Sequence, residues 1–218
     1  MHPNPAYRNG TRALHEQVIE QAGFGMIFAE TSDGPRVAHT PFVSTRDGAV
    51  QFHLSRANAL TRHIAGTTAL AVINGPDAYI SARWHTDRNS VPTWNFVALE
   101  LEGRVRRMEP EGTLAMLETL SLRHEAHTAG GAPWSMRELT ADREKRLLAG
   151  IAGFEMEVRE WRDTVKLSQD DSARDRASIV AGLEENGETM MANLIQNPPV
   201  ADPAAVLIGD LARKRNAR

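Results

Sequence analysis

Hydrophobic and polar residues alternate with a period of two along several stretches of this chain. In Ala49–Ser55, Val50, Phe52 and Leu54 fall on one face and Gln51, His53 and Ser55 on the other. Further on, Val97, Leu99, Leu101 and Val105 share a face opposite Glu100, Glu102 and Arg104. Late in the chain, Phe154, Met156 and Val158 alternate with Glu155, Glu157 and Arg159. Two short apolar runs, Phe24–Ala29 and residues 68–73, read as buried strands. Residues 36–44 form another strand, in which Pro41 cannot donate to a ladder and so marks an edge or a bulge. Turns are expected at residues 31–36 and at Asp47-Gly48, and Asn74-Gly75-Pro76 is expected to end the strand before it.

Helical spacing occupies the remaining segments. Thr11 can cap a helix with Leu14, Val18 and Ala22 on one face, ending at Gly23. Residues 58–65 read as one helix. Pro110 opens a third, with Glu111 favourable in its first turn and Leu114, Leu117 and Leu120 as its apolar stripe. Ser135 and Glu138 make a capping box after Trp134. Thr140 begins a helix that turns Leu147, Leu148 and Ile151 inward. Ser172 with Asp175 caps one carrying Ile179, Val180 and Leu183 as far as Gly187. Successive strands joined by short turns, with helices added late, predict a mainly β, α+β fold: an antiparallel meander closing into a barrel. Residues 1–187 form the domain. Residues 188–218 are expected to be a C-terminal extension, partly mobile or packed on a partner subunit.

Composition narrows the chemistry. Of 218 residues, 41% are hydrophobic and 24% charged, as in ordinary globular domains. The net charge of −3 leaves no global basic footprint for nucleic acid, although Arg213, Lys214, Arg215 and Arg218 make the end of the chain basic. With no cysteine, disulfides, thiol catalysis and cysteine-ligated metals are excluded. No run is long enough to span a membrane and the N-terminal residues lack an apolar signal core, so the chain reads as cytoplasmic. Phosphate-loop, dinucleotide and hydrolase-elbow motifs are absent. His124 and His127, three apart, are better explained as a solvated helix end than as metal ligands.

The candidate chemistry centres on residues 75–101, GPDAYISARWHTDRNSVPTWNFVALEL. Trp84 and Trp94 flank a polar loop holding Arg83, His85, Asp87, Arg88 and Asn89. Rings beside donors suit a flat polar ligand. On the residues alone, a long hairpin with a solvated polar tip weighs more. Arg56 and Asn58, directly after a strand, would suit a phosphate, although an arginine at a strand end is common. His39 and His85 are candidate proton-transfer groups only because imidazole titrates near neutral pH.

Seven strings occur here in a characteristic order: RVAHTPFV (36–43), FHLSRAN (52–58), GPDAYIS (75–81), VPTWNF (91–96), LRHE (122–125), GFEME (153–157) and KLSQ (166–169). Over residues 3 to 185 the chain resembles the PaiB-like proteins, known as FMN-binding negative transcriptional regulators, and through them the split β-barrel flavoproteins, which include pyridoxamine-phosphate oxidases and flavin reductases. The resemblance implies a homodimer with FMN at the subunit interface. It places Ser55, Arg56 and Asn58 at the phosphate and His39, Thr40 and Pro41 near the ring. Ser81, Thr93, Trp94 and Asn95 would meet the flavin from the central stretch, and Lys166, Ser168 and Gln169 from the late strand, in either subunit. Relatives often carry SPSWY where this chain has Ser81-Ala82-Arg83-Trp84-His85. Two functions follow as expectations: a regulator or flavin-dependent redox protein acting on an unidentified small molecule, or a cofactor-free regulatory or interaction domain with a degenerate pocket. The family label also raises DNA as a partner, but the sequence has no helix-turn-helix or basic recognition helix to support it.

Overall fold

A computed structural model describes residues 4–8 and 11–199. Seven antiparallel strands form one sheet in the order β2-β1-β5-β6-β7-β4-β3. They are β1 (Phe24–Ala29), β2 (Arg36–Pro41), β3 (Val43–Ser44), β4 (Ala49–Ser55), β5 (Thr68–Ile80), β6 (Thr93–Arg107) and β7 (Ile151–Lys166). The helices are α1 (Arg12–Ala22), α2 (Pro110–Glu125), α3 (Ala141–Ala149), α4 (Ala173–Glu185) and α5 (Thr189–Gln196). The mainly β, α+β expectation holds.

Pro41 explains how the sheet closes. β2 and β3 lie at opposite edges of the sheet, yet only Phe42 separates them. The chain therefore turns a corner at Pro41-Phe42, where the missing proline donor leaves no ladder bond unmade. Phe42 donates its backbone N–H to Gly23 O at 2.9 Å. The Thr40 hydroxyl donates to His53 O on β4 at 2.7 Å, tying the two edges together. Phe42, Phe52 and Phe154 are fully buried behind this seam, with ring centroids 5.6 and 5.5 Å apart in succession.

Helix α1 seals the barrel with Leu14, Val18 and Ile19, and Gly23 ends it in the left-handed conformation at φ 60°. His15 from this helix meets the inward-facing Asp163 of β7 at 2.8 Å, both side chains being buried. Trp161 stacks on His15, and the Arg12 guanidinium sits 3.3 Å over the Trp161 ring.

Several local expectations are corrected. Asn74-Gly75-Pro76 does not end a strand: β5 runs through it with a bulge between Asn74 and Asp77. Residues 58–65 form only a short 3-10 turn, Ala59–Arg62, because Asn58 caps it and His63 leaves it. On α2 Leu120 is buried as expected, but the rest of the buried stripe is Thr113 and Met116, each one position before the expected Leu114 and Leu117. Helix α3 buries nothing, and Leu147 is exposed. Helix α5, inside the expected extension, packs on α4 and β5 and buries Met191, Ala192, Leu194 and Ile195 in the main core. The rest of that extension, 200–218, lies outside the described residues. No helix among those described is long and apolar enough to cross a membrane.

Candidate functional site

The loop at residues 81–92 is docked rather than free. Ser81 accepts from the Arg83 N–H and caps a 3-10 turn, Ala82–Trp84. The Trp84 indole packs over Gly182 of α4, where a Cβ would overlap it. Thr86 gives both its backbone N–H and its hydroxyl to Asp175 Oδ1, each at 2.7 Å. Those bonds, with one from Ser172, pull the Asp175 carboxyl down to a pKa of about 2. His85 Nε2 lies 3.4 Å from Asp171 Oδ1, with its side chain nine-tenths buried.

This docking shapes a cleft of about 290 Å³ between the loop, the start of β6 and the end of β7. Thr93, Asn95, Lys166 and Ser168 line it together with Tyr7 and His85. Lys166 hydrogen-bonds Thr93 through its Nζ and lies 5.7 Å from the Tyr7 ring centroid. Tyr7 donates to Asp170 at 2.7 Å; burial and this carboxylate push its phenol up to about 12. Asn95 is fully buried and gives its Nδ2 to Ser168 Oγ at 2.9 Å. That leaves Asn95 Oδ1, and also His85 Nδ1, buried with no partner among the described residues. Ser168 holds φ 57°, a left-handed conformation that non-glycine residues adopt at a cost and that clusters at functional sites.

Three residues expected at the ring stay outside this cleft, Ser81 because it caps the Ala82–Trp84 turn. Trp94 points to the other face of β6, half-exposed and edge-on to Tyr79 at 6.1 Å. Gln169 braces the chain instead: its Oε1 accepts from Leu167 N–H, and its Nε2 donates to Val165 O and Ala6 O.

The other expected residues gather at the far end of the same ribbon. Ser55 pairs with Ile151 at the start of β7, whereas Lys166 closes that strand. At about 3.3 Å per residue, these ends are separated by most of the strand's length. Here Arg56 lines a second cleft, of about 420 Å³, with Arg107 and Lys145 at the start of α2. None of the three cations is ion-paired among the described residues. Ser55 and Asn58 use their side-chain oxygens to accept from the Ala57 and Leu60 N–H groups. Thr40 is buried at the seam, Pro41 turns the corner, and the exposed His39 stacks on Phe24 at 6.4 Å. Burial holds the His53 imidazole below its ordinary pKa. Sequence reasoning missed Arg107 and Lys145, because only the pairing of β6 with β7 and the position of α3 bring them beside Arg56. His127 Nδ1 bonds Arg123 O at 2.7 Å, and among the described residues no group of three potential ligands gathers for a metal.

One cleft thus sets three cations with no ion pair among the described residues against a single carboxylate, Glu109, a balance suited to a phosphate. The other offers an orphaned buried acceptor and a cation, suited to an N–H and a carbonyl of a polar ring. Both sets fit the two ends of FMN.

A curated relative, the protease synthase and sporulation protein PAI 2 of Bacillus subtilis, is 26% identical over 82% of this chain and 88% of its own length. The flavocytochrome Anf3 of Azotobacter vinelandii superposes with a TM-score of 0.58 at 14% identity, covering 81% of this chain and 78% of that one. The FAD- and heme-binding protein of Mycobacterium smegmatis gives 0.57 at 14% identity, covering 79% and 80%. These two likenesses show the fold alone, a split β-barrel. The family model described as "Putative FMN-binding domain" matches residues 1–160, and this chain therefore belongs to that family, with FMN as its cofactor.

Proposed function

We propose that the protein works as a homodimer that holds each FMN between subunits and uses it for redox chemistry on a small molecule. One observation carries this reading: the phosphate-type cleft and the ring-type cleft lie at opposite ends of the β6–β7 ribbon, so one chain offers each flavin only half of its contacts. A two-fold partner would supply the other half, because an isologous contact that sets one end against the opposite end of the partner does so twice. The outer sheet face supports the same arrangement. Strand register puts Phe24, Val37, Tyr79 and Trp94 on that face, and each is at least 44% exposed. Exposed aromatic and aliphatic groups on one face mark an interaction surface.

In this arrangement Arg56, Arg107 and Lys145 of one protomer hold the phosphate. Asn95, Thr93 and Lys166 of the other orient the ring, Asn95 Oδ1 by accepting from a ring N–H. When bound, FMN supplies hydride or single-electron transfer. Lys166 would set its positive charge beside the ring, and the docked 81–92 loop would limit access of water. His85, steadied by Asp171, presents Nδ1 as the proton-carrying group of the cleft.

FMN titration followed by absorbance, with molar mass measured by light scattering, tests the reading. Saturable binding of one FMN per chain by a dimer is expected, with the bound flavin bleached by a nicotinamide donor. A monomer that binds FMN with full affinity contradicts it. Tight binding of duplex DNA by a dimer whose flavin no donor reduces would favour a regulator instead.

A further inference from the structure

A third cavity lies away from both flavin clefts. It occupies about 230 Å³ between α1, α5 and the bulge in β5. Its wall is apolar, built from Leu14 and Val18 of α1, Val97 of β6, and Met191 and Leu194 of α5, all of them buried. The bulge at Asn74–Asp77 forms the floor. Gly75 crosses so near Val97 that a Cβ would stand 3.0 Å from the valine Cβ, and the bulge brings Asp77 to the rim. The GPD of the GPDAYIS string thus has a structural result that the flavin reading leaves unused.

The polar groups of this cavity share one demand. Among the described residues, the lining groups that titrate are Asp77 and Glu188, both acidic. Neither carboxylate is ion-paired among the described residues. Gln21 also lines the cavity, and its Oε1 is buried with no donor among the described residues. An unsatisfied buried acceptor costs about 1–3 kcal/mol, so the site is complete only when a donor enters it. Two carboxylates and an orphaned carbonyl above an apolar wall select a cation with an apolar body. The volume equals that of about eight waters at ~30 Å³ each, the bulk of a phenyl ring with a two-carbon arm. A flavin phosphate is repelled by the same rim, so this site is separate from the cofactor.

We propose that the cavity binds a small primary amine with an apolar body, its ammonium group meeting Asp77, Glu188 and Gln21 Oε1 and its body lying against Val18, Val97 and Met191. The test is calorimetric titration of the full chain with three probes of one shape: 2-phenylethylamine, 2-phenylethanol and phenylacetate. The amine should bind saturably, the alcohol about tenfold or more weakly, the scale of one charge-assisted hydrogen bond, and the acid not at all. The double variant Asp77→Asn, Glu188→Gln should lower the amine to the affinity of the alcohol. Ala22→Phe, which fills the cavity from α1, should abolish amine binding while FMN affinity and melting temperature report an intact fold. Equal binding of the three probes overturns the proposal. So does amine binding unchanged by Ala22→Phe, or no saturable amine binding by the full chain.

Discussion

Asn95 and Ser168, 73 residues apart in sequence, are joined by a buried hydrogen bond of 2.9 Å from Nδ2 to Oγ. The bond fixes the asparagine amide so that its Oδ1 is left over, and it holds Ser168 in its left-handed conformation. Replacing Asn95 by Ala removes the orphaned acceptor together with this brace. FMN affinity should fall about tenfold and stability by about 1–3 kcal/mol, the range for a buried polar group losing its partner. FMN titration and urea unfolding check the two effects separately. Unchanged affinity would take Asn95 out of the flavin site.

Gly182→Ala should destabilise the protein although alanine favours helix. The new Cβ would overlap the Trp84 indole. Overpacking of this kind costs about 1–3 kcal/mol, against a gain of about 0.5–1 kcal/mol in helix propensity. Trp84 should move towards solvent, which tryptophan fluorescence reports as a red shift alongside a lower melting temperature. A more stable variant with unshifted fluorescence would show that the loop does not rest on α4.

Asp175 ties the same loop to α4 and has a folded pKa of about 2 against an ordinary 3.8. A depressed carboxylate pKa contributes stability that is fully present above 3.8 and is lost as pH falls through 2. The stability difference between wild type and Asp175→Asn should therefore be constant above about pH 5 and shrink below pH 4. Urea unfolding across that range measures it. A difference that does not change with pH would rule out the Thr86 bonds as its source.

Tyr7 moves the other way, with burial and the Asp170 carboxylate raising its phenol to about 12. Its contribution is full below the ordinary value of 10.0 and is lost as pH rises through 12. The chain has two tyrosines. Phenolate absorbance should accordingly show a late step, and Tyr7→Phe should remove it. Loss of the earlier step instead would mean that Tyr7 is not the buried phenol.

Much of the fold was legible because strands with one buried face announce themselves by alternation. Ala49–Ser55 and Phe24–Ala29 appear with the bounds read from the pattern. Asn74-Gly75-Pro76 misled because the same residues serve a turn or a bulge, and only the partner strand β6 decides between them. Helix α5 gave little signal: Glu188 makes no side-chain cap, and the helix is secured by burial against α4. The gathering of Thr93, Asn95, Lys166 and Ser168 in one cleft matches the grouping that their distinctive strings suggested. Arg107 and Lys145 carried no such mark, since charge on a solvated face looks the same as charge turned towards a ligand. Trp94 and Gln169 sit within the same strings yet serve the outer face and the backbone.

Mixed dimers test the central claim most directly. Arg56→Ala and Lys166→Ala each damage one of the two clefts, and each protein alone should bind FMN poorly. Unfolded together and refolded as a mixture, they should recover FMN binding at about one site in four, since half of the dimers are mixed and each of those has one intact composite site. No recovery, with mixed dimers shown to form, would mean that both residues act within a single chain and would contradict a flavin shared between subunits.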